Sequence, residues 1–250
     1  MGTSARKVKE ARNRVRQATW DKLMKTGVAR FPLPVYGRIP NFAGAEKAAY
    51  RLTQSREFIN ARVIKVCPDS PQRIIRLEAL RQGKVLIMPT PRIREGFLLL
   101  DPHRVPSSAY SYASTIRGAF RYGVKVKPWD LPDVDLIVTG SVAVDLTGTR
   151  LGKGEGYSEL EYAILREFNK VNDDTPIFTT VHDLQVLSNS IPRLPWDVTV
   201  DIIFTPSRAI KCSGPKQRTK GILWSYLSEN KIREIPLLRK IAERKGDKIA

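Results

Sequence analysis

The chain has 250 residues, of which 42% are hydrophobic and 27% charged, as is ordinary for a soluble globular protein of one large domain or two small ones. No run approaches the roughly 18 apolar residues of a membrane span, and the two cysteines are far apart, which argues against a disulfide framework and a structural zinc site. The formal net charge of +18 favours an anionic partner, and the basic start has no apolar region after it, so we expect a cytoplasmic protein without a secretory signal.

The first 60 residues are predicted to form a basic helical extension. Apolar residues recur at helical spacing from Arg6 to Lys25, and Gly27 marks the predicted end of that helix. Three prolines within residues 29–42 then predict an extended, irregular connection. A second helix, rich in Ala, Glu and Lys, is predicted for residues 44–61.

Beyond this extension, short apolar runs alternate with helical patterns. The strand candidates are residues 62–68, 84–91, 134–145, 176–183 and 200–206. The helix candidates are residues 69–83, 106–123, 158–172 and, in the C-terminal tail, 221–245. Such alternation predicts βαβ units and a mostly parallel sheet that helices cover on both faces. We therefore expect one α/β domain over residues 1–250, with a sheet core at 61–210 and a basic helical tail at 211–250.

The predicted architecture places several polar clusters at one edge of the sheet. In open parallel sheets, ligands bind beyond the carboxyl ends of the strands. At those ends lie the sequences PTPR (89–92), TGTRLGKGEGYSELE (147–161), HD (182–183) and TPSR (205–208). The arginine after the second strand and the His-Asp pair are either binding groups or ordinary surface and packing residues.

The glycine-rich stretch at 147–161 has the features of an anion cradle. Its glycines permit close backbone approach, the following helix adds the positive end of its dipole, and Arg150 and Lys153 add positive charge. The spacing is neither GxGxxG nor GxxxxGK[ST], so no standard nucleotide fingerprint applies. From spacing alone, a phosphate-binding loop and a plain strand-to-helix turn are both open.

This stretch resembles the nucleotide loop of the 5-formyltetrahydrofolate cyclo-ligase family, the methenyltetrahydrofolate synthetases. The loop of that family reads R-[LI]-G-[RK]-G-x-G-[YF]-[YF]-D, and the matching residues here are Arg150, Gly152, Lys153, Gly154, Gly156 and Tyr157. The second aromatic residue and the Asp of the family are replaced by Ser158 and Glu159. Similar sequences extend the likeness over nearly the whole chain, toward the methenyltetrahydrofolate synthetase domain-containing branch: FPLPVYGRIPNF, VLIMPTPRIR, GSVAV, LEYA and VHD.

The resemblance implies a three-layer α/β sandwich and an enzyme that depends on ATP and Mg²⁺. The family converts 5-formyltetrahydrofolate and ATP into 5,10-methenyltetrahydrofolate, ADP and phosphate, so the implied partners are ATP and a formylated folate or related pterin. The resemblance assigns Arg150 and Lys153 to catalysis. It assigns nucleotide binding to Arg12, Arg16, Gly152, Gly154, Gly156 and Tyr157. The magnesium ligands that it implies are Glu159, Asp197 and Asp201.

Two other functions stay open at this point. Residues 1–60 carry 13 Lys and Arg against 4 Asp and Glu, and residues 208–250 carry 12 against 4, so nearly all the excess charge lies at the chain ends. A protein that keeps this fold but binds RNA through its basic ends is the main alternative. A sugar-phosphate isomerase-like enzyme on a similar sheet ranks third. The folate contacts of the family have no clear counterpart in this sequence, which leaves the substrate more open than the nucleotide.

Overall fold

The structure, a computed structural model, describes residues 3–246 and contains nine α-helices within that range. The helices are α1 (Thr3–Lys25), α2 (Ala45–Thr53), α3 (Arg56–Asn60), α4 (Arg73–Arg81), α5 (Tyr110–Ala113), α6 (Ile116–Tyr122), α7 (Tyr157–Glu167), α8 (Glu229–Glu234) and α9 (Pro236–Lys245). The strands are β1 (Ala29–Arg30), β2 (Asn41–Phe42), β3 (Val63–Val66), β4 (Val85–Pro89), β5 (Phe97–Leu100), β6 (Val124–Val126), β7 (Leu136–Gly140), β8 (Ala143–Asp145), β9 (Arg150–Leu151), β10 (Ile177–Thr180), β11 (Val186–Leu187), β12 (Ile202–Phe204) and β13 (Ala209–Lys211).

Eight strands form the central sheet in the order β13-β12-β10-β7-β3-β4-β5-β6. The five strands from β12 to β4 are parallel to one another, and β13, β5 and β6 pair antiparallel at the two edges. The parallel centre confirms the prediction. The antiparallel edge strands are not predicted, because a short apolar run such as the FLLL of β5 has no periodicity that separates a strand from a helix.

The side chains of the central strands alternate between two hydrophobic layers, as the geometry of a strand requires. In β7, Leu136 and Val138 face the layer that contains Phe58 of α3, whereas Ile137 faces the layer that contains Ile164 of α7. Helices α2 to α6 cover the first layer, and α7 to α9 cover the second. The expected three-layer α/β sandwich is therefore the observed fold.

Four predicted elements are broken in the structure. The helix predicted over 106–123 is divided into α5 and α6, and the helix predicted over 221–245 is divided into α8 and α9. The run at 134–145 is not one strand, since β7 ends at Gly140 and β8 joins a separate three-stranded sheet with β9 and β11. Gly140 lies where the chain passes close to the segment after α1, because a Cβ there would be 2.8 Å from the Ile39 side chain. The helix predicted over 44–61 is divided at Ser55, whose hydroxyl caps the start of α3.

Both basic ends of the chain pack onto the sheet. Trp20 and Leu23 of α1 form a hydrophobic cluster with Val35 and Val142. In the tail, Ile241 of α9 belongs to the same hydrophobic layer as α7. Within residues 3–246, no helix combines the length and the apolar character that crossing a membrane requires.

Candidate functional site

A glycine-rich loop joins β9 to α7 near the carboxyl end of β7. Gly154 and Gly156 have φ angles of 105° and 74°, in the left-handed region that favours glycine. Gly156 directly precedes α7, and no side chain caps the first backbone N–H groups of that helix. These donors and the positive end of the helix dipole are therefore open to an anion.

Arg150 anchors this loop to the central sheet. Its Nη1 donates to the carbonyl oxygen of Gly140, the last residue of β7, at 3.2 Å, and its Nη2 donates to Glu159 Oε1 at 2.5 Å. Both side chains are largely buried, with 3% of Arg150 and 11% of Glu159 exposed. A fixed cation and a fixed carboxylate thus stand side by side at the first turn of α7.

Arg16 of α1 reaches the loop from another side. Its Nε donates to the carbonyl oxygen of Gly152 at 2.8 Å, and its Nη1 donates to Asn13 Oδ1 at 2.7 Å. Within the described residues its guanidinium forms no ion pair with a carboxylate. Burial, followed by the nearby Arg12 cation, lowers the pKa of Arg16 to about 10. The carboxylates of Glu159 and Asp197 raise this pKa without contacting the guanidinium directly, and because burial of such a cation is costly, this geometry favours a bound anion.

Lys153 lies in the loop and Tyr157 begins α7, and the two side chains differ in how firmly other residues hold them. Lys153 is 38% exposed, and its Nζ lies 3.8 Å from Glu155 and 4.0 Å from Asp69, distances longer than a hydrogen bond, so the ammonium can turn toward a ligand. Tyr157 is held in place, since its hydroxyl donates to Glu234 Oε2 at 3.2 Å and the ring lies 3.3 Å from Lys231 Nζ. Burial and then Glu234 raise the pKa of Tyr157, so the hydroxyl stays protonated at neutral pH.

The structure pairs two residues for which separate roles were predicted. Arg12 Nη1 and Nη2 donate to the two carboxylate oxygens of Asp197 at 2.7 and 2.8 Å, and both side chains are buried. Asp197 also accepts from the backbone N–H of Leu194. The bidentate ion pair engages both oxygens of Asp197 and two of the five guanidinium donors of Arg12, and the predicted ligand roles of these two residues stay predictions. The pair fastens α1 to the loop that precedes β12.

Asp201 lies away from the other predicted metal ligands. It directly precedes β12 and so stands at the amino end of a parallel strand, whereas the glycine loop lies at the carboxyl edge. Its carboxylate is paired with Arg218 at 2.9 Å and with Lys216 at 3.3 Å. In the part of the chain that the structure describes, no three His, Cys, Asp or Glu side chains are grouped to hold a metal ion. Of the predicted ligands, Glu159 is the one at the loop.

Two cavities meet at the glycine loop. The helix-side cavity, of about 460 Å³, lies between α1, the loop and the C-terminal tail. The strand-end cavity, of about 900 Å³, lies beyond the carboxyl ends of β3, β4 and β7. The residues that line both are Gly152, Glu155, Gly156 and Glu159. Ligands bound in the two cavities would therefore lie next to each other at the loop.

Glu161, which lines the strand-end cavity, belongs to a buried ion pair that the sequence did not predict. The ammonium of Lys65, on β3, donates to Glu161 of α7, and both residues are buried. Burial is the largest influence on Glu161 and raises its pKa. The signal in the sequence is a lysine within the apolar run VIKV, but its partner lies 96 positions away and nothing local identifies it.

The rim of the strand-end cavity combines aromatic side chains with a strained turn. Phe31, Tyr36 and Tyr112 line it and are 82%, 42% and 46% exposed. Beyond β4, in the PTPR sequence predicted at the ligand edge, Arg92 has a φ angle of 57° and Ile93 one of 55°. Such strain in residues other than glycine clusters at ligand-binding sites.

The His-Asp pair predicted at this edge has a local structural role instead. His182 Nδ1 accepts from the backbone N–H of Leu184 at 3.1 Å, and Asp183 accepts from the Ser207 hydroxyl at 2.5 Å. Burial lowers the pKa of His182, so the ring is neutral at pH 7. Neither residue lines the two cavities.

Known proteins are similar to this chain in sequence and in fold. The family model described as the 5-formyltetrahydrofolate cyclo-ligase family matches residues 6–206. The chain belongs to this family. The matched range contains α1 from Arg6 onward, the glycine loop and the residues named above for the strand-end cavity, and it ends before the C-terminal tail.

Curated relatives extend the likeness to a particular branch. The chain is 41% identical over 235 residues to the methenyltetrahydrofolate synthase domain-containing protein of Mus musculus, which covers 92% of this chain and 63% of the mouse protein. The Homo sapiens protein of the same name is 37% identical over 235 residues, which covers 92% of this chain and 61% of the human protein. The chain therefore spans less than two thirds of the length of these relatives.

A solved structure shares the fold. The NMR structure of Aquifex aeolicus 5,10-methenyltetrahydrofolate synthetase superimposes with a TM-score of 0.52 and 21% sequence identity, covering 86% of this chain and 99% of that one. At this identity the likeness concerns the fold alone, and the α/β sandwich described above is that of the synthetase.

Proposed function

We propose that this protein is an ATP- and Mg²⁺-dependent cyclo-ligase that converts 5-formyltetrahydrofolate, or a related formylated pterin, into the 5,10-methenyl product with release of ADP and phosphate. The observation that carries the proposal is that two cavities meet at one glycine loop. Phosphoryl transfer between two substrates needs them to meet at one point, with charge neutralisation there more than a strong base. Family membership supports the class of reaction.

ATP is assigned to the helix-side cavity. Arg16, a buried cation without a carboxylate partner, lines this cavity, and the uncapped start of α7 offers N–H donors to phosphate. Trp196 and Tyr226, with ring centroids 5.1 Å apart, give an aromatic wall that suits a nucleobase. Arg150 and Lys153 line the neighbouring cavity, where they would neutralise the charge of the transferred phosphoryl group.

Glu159 is the residue that fits a magnesium ion. Its carboxylate lines both cavities and is oriented by Arg150. One carboxylate together with the phosphate oxygens of a nucleotide is a donor set that Mg²⁺ accepts readily. When bound, the ion would neutralise charge on the phosphates. Asp197 and Asp201 are outside this proposal, because Arg12 engages both carboxylate oxygens of Asp197, whereas Arg150 engages one oxygen of Glu159, and because Asp201 stands at the amino end of its strand.

The formylated pterin is assigned to the strand-end cavity. Its volume of about 900 Å³ suits a small-molecule substrate, and the aromatic residues Phe31, Tyr36 and Tyr112 at the rim can contact a flat ring. In the reaction, the formyl oxygen attacks the γ-phosphorus of ATP and ADP leaves. N10 then attacks the carbon of the resulting imidate phosphate and loses its proton, and the C–O bond breaks as phosphate departs.

Turnover by the purified chain tests the proposal. With ATP, Mg²⁺ and 5-formyltetrahydrofolate, we expect near-ultraviolet absorbance of the methenyl product, and none when any one component is left out. Lys153→Met should lower kcat about a hundredfold, since a group that stabilises developing charge is lost. Lys240→Met removes an exposed lysine of α9 outside both cavities and should leave kcat unchanged. A folded wild-type protein that forms no product would refute the proposal.

RNA binding through the basic ends is a second candidate function. The observation that favours it is the concentration of positive charge in residues 1–60 and 208–250. Folding pairs part of this charge, as in the contacts of Arg12 with Asp197 and of Arg218 with Asp201. The exposed lysines and arginines of α1 and α9 that form no ion pair within the described residues are the ones available to RNA.

A further inference from the structure

The helix-side cavity has a wall that lies outside the range matched by the family. The family match ends at residue 206, whereas the cavity is lined from the C-terminal tail by Ile222, Leu223, Tyr226 and Lys231. The match to the mouse relative covers 92% of this chain and so extends into the tail. The tail is therefore a component of this cavity that the common family region does not contain.

Lys231 brings a cation from the tail onto the glycine loop. Its Nζ donates to the carbonyl oxygen of Glu155 at 2.8 Å and lies 3.3 Å from the centroid of the Tyr157 ring. An ammonium group has three N–H donors, and the contact with Glu155 uses one of them. Lys231 forms no ion pair with a carboxylate among residues 3–246. It thus keeps donors for a ligand in the cavity that it lines.

Further contacts hold this part of the tail in place. The hydroxyl of Tyr157 donates to Glu234 Oε2 at 3.2 Å, three residues after Lys231 and at the end of α8. Ile232 and Ile235 are buried in the hydrophobic layer that contains α7. Burial lowers the pKa of Lys231, and the nearby carboxylates of Glu234 and Glu155 offset part of that effect. The position of the ammonium is therefore set by packing on both sides of it.

We propose that Lys231 is a phosphate-binding residue that the C-terminal tail contributes to the helix-side cavity. Arg16 contacts the carbonyl oxygen at the start of the loop, that of Gly152, and Lys231 contacts the one near its end, that of Glu155. An anion at the loop N–H groups would have a cation on each side. The proposal rests on the assignment of ATP to this cavity, but the anion site does not require that the cyclo-ligase reaction takes place.

Calorimetric titration of the full chain with ATP, inorganic tripolyphosphate and adenosine tests this role. Lys231→Met should weaken ATP and tripolyphosphate binding at least about tenfold, as loss of a charge-assisted contact predicts, and should leave adenosine binding unchanged. Lys231→Arg keeps the charge and should retain most of the ATP affinity. Lys240→Met is the matched control, an exposed tail lysine on α9 that lines neither cavity, and should bind all three ligands as the wild type does.

Separate measurement of turnover distinguishes this proposal from the cyclo-ligase function. Weaker tripolyphosphate binding in Lys231→Met, with no turnover by the wild type, would support the phosphate site and refute the proposed cyclo-ligase reaction. Turnover by the wild type, with equal ATP affinity in Lys231→Met and Lys240→Met, would overturn the role of Lys231. A wild-type protein that binds neither ATP nor tripolyphosphate would overturn both.

Discussion

Two arginines on one face of α1 show how the surroundings of a charge decide its role. Arg12 makes a bidentate contact with the buried carboxylate of Asp197, whereas Arg16 contacts only a carbonyl and an amide oxygen. Loss of Arg12 leaves a buried anion without its partner, while loss of Arg16 leaves no such charge. The same substitution should therefore affect folding at one position and ligand binding at the other.

For Arg12→Met we expect the free energy of unfolding to fall by about 3–5 kcal/mol, the cost of an uncompensated buried carboxylate. For Arg16→Met we expect a fall of no more than about 1 kcal/mol, since hydrogen bonds alone are lost. Arg16→Met should also weaken ATP binding at least about tenfold. Urea denaturation and ATP titration of the two variants measure these effects. Equal destabilisation of both, or wild-type ATP affinity in Arg16→Met, would contradict the division of roles.

At the scale of elements, the predictions that hold are those with a local signal. The glycine loop and α7 are adjacent in sequence, so the pattern at 147–161 indicates both at once. The partners Arg12 and Asp197 lie 185 positions apart, and no periodicity connects them, which is why the sequence analysis assigned them to different ligands. The run at 134–145 reads as one strand because its apolar residues continue past Gly140, where the chain passes from the central sheet to the three-stranded sheet.

The start of α7 can be tested with a matched pair of glycines. Gly156 and Gly27 have φ angles of 74° and 67°, and a Cβ at either would meet no atom within 4 Å. Alanine at each position should therefore cost a similar amount of stability, about 1–2 kcal/mol for the left-handed backbone. Gly156 lines both cavities and Gly27 lines neither, so we expect Gly156→Ala alone to weaken ATP binding and turnover.

Thermal unfolding and turnover assays of these two variants supply the comparison. Similar melting temperatures with a selective loss of turnover in Gly156→Ala would support close approach of the ligand to the loop backbone. If Gly27→Ala lost as much turnover as Gly156→Ala, the loss would follow from stability, and the loop would have no special part in binding.

At the scale of the whole molecule, folding brings the two basic ends of the chain to the same site. α1 contributes Arg16 to the helix-side cavity, and the tail contributes Lys231. From the sequence, the excess positive charge at both ends favours either a small anion or a polyanion as the partner. The helix-side cavity, to which both ends contribute, explains part of that charge. What this cavity does not explain is the exposed positive charge on the outer faces of the same helices.

Reversal of that exposed charge tests whether RNA is a second partner. Arg14 and Lys22 of α1 and Arg239 and Lys240 of α9 are exposed and lie outside both cavities, so reversing all four to Glu should leave ATP affinity unchanged. If these residues bind RNA, the affinity of the wild type for a single-stranded RNA should fall steeply with salt. In the variant with all four reversals, the slope of log K against log [salt] should be smaller in magnitude by about 0.7 for each phosphate contact removed. Fluorescence anisotropy at several salt concentrations measures both quantities. RNA affinity that is insensitive to salt and equal in the two proteins would exclude these four residues as an RNA surface.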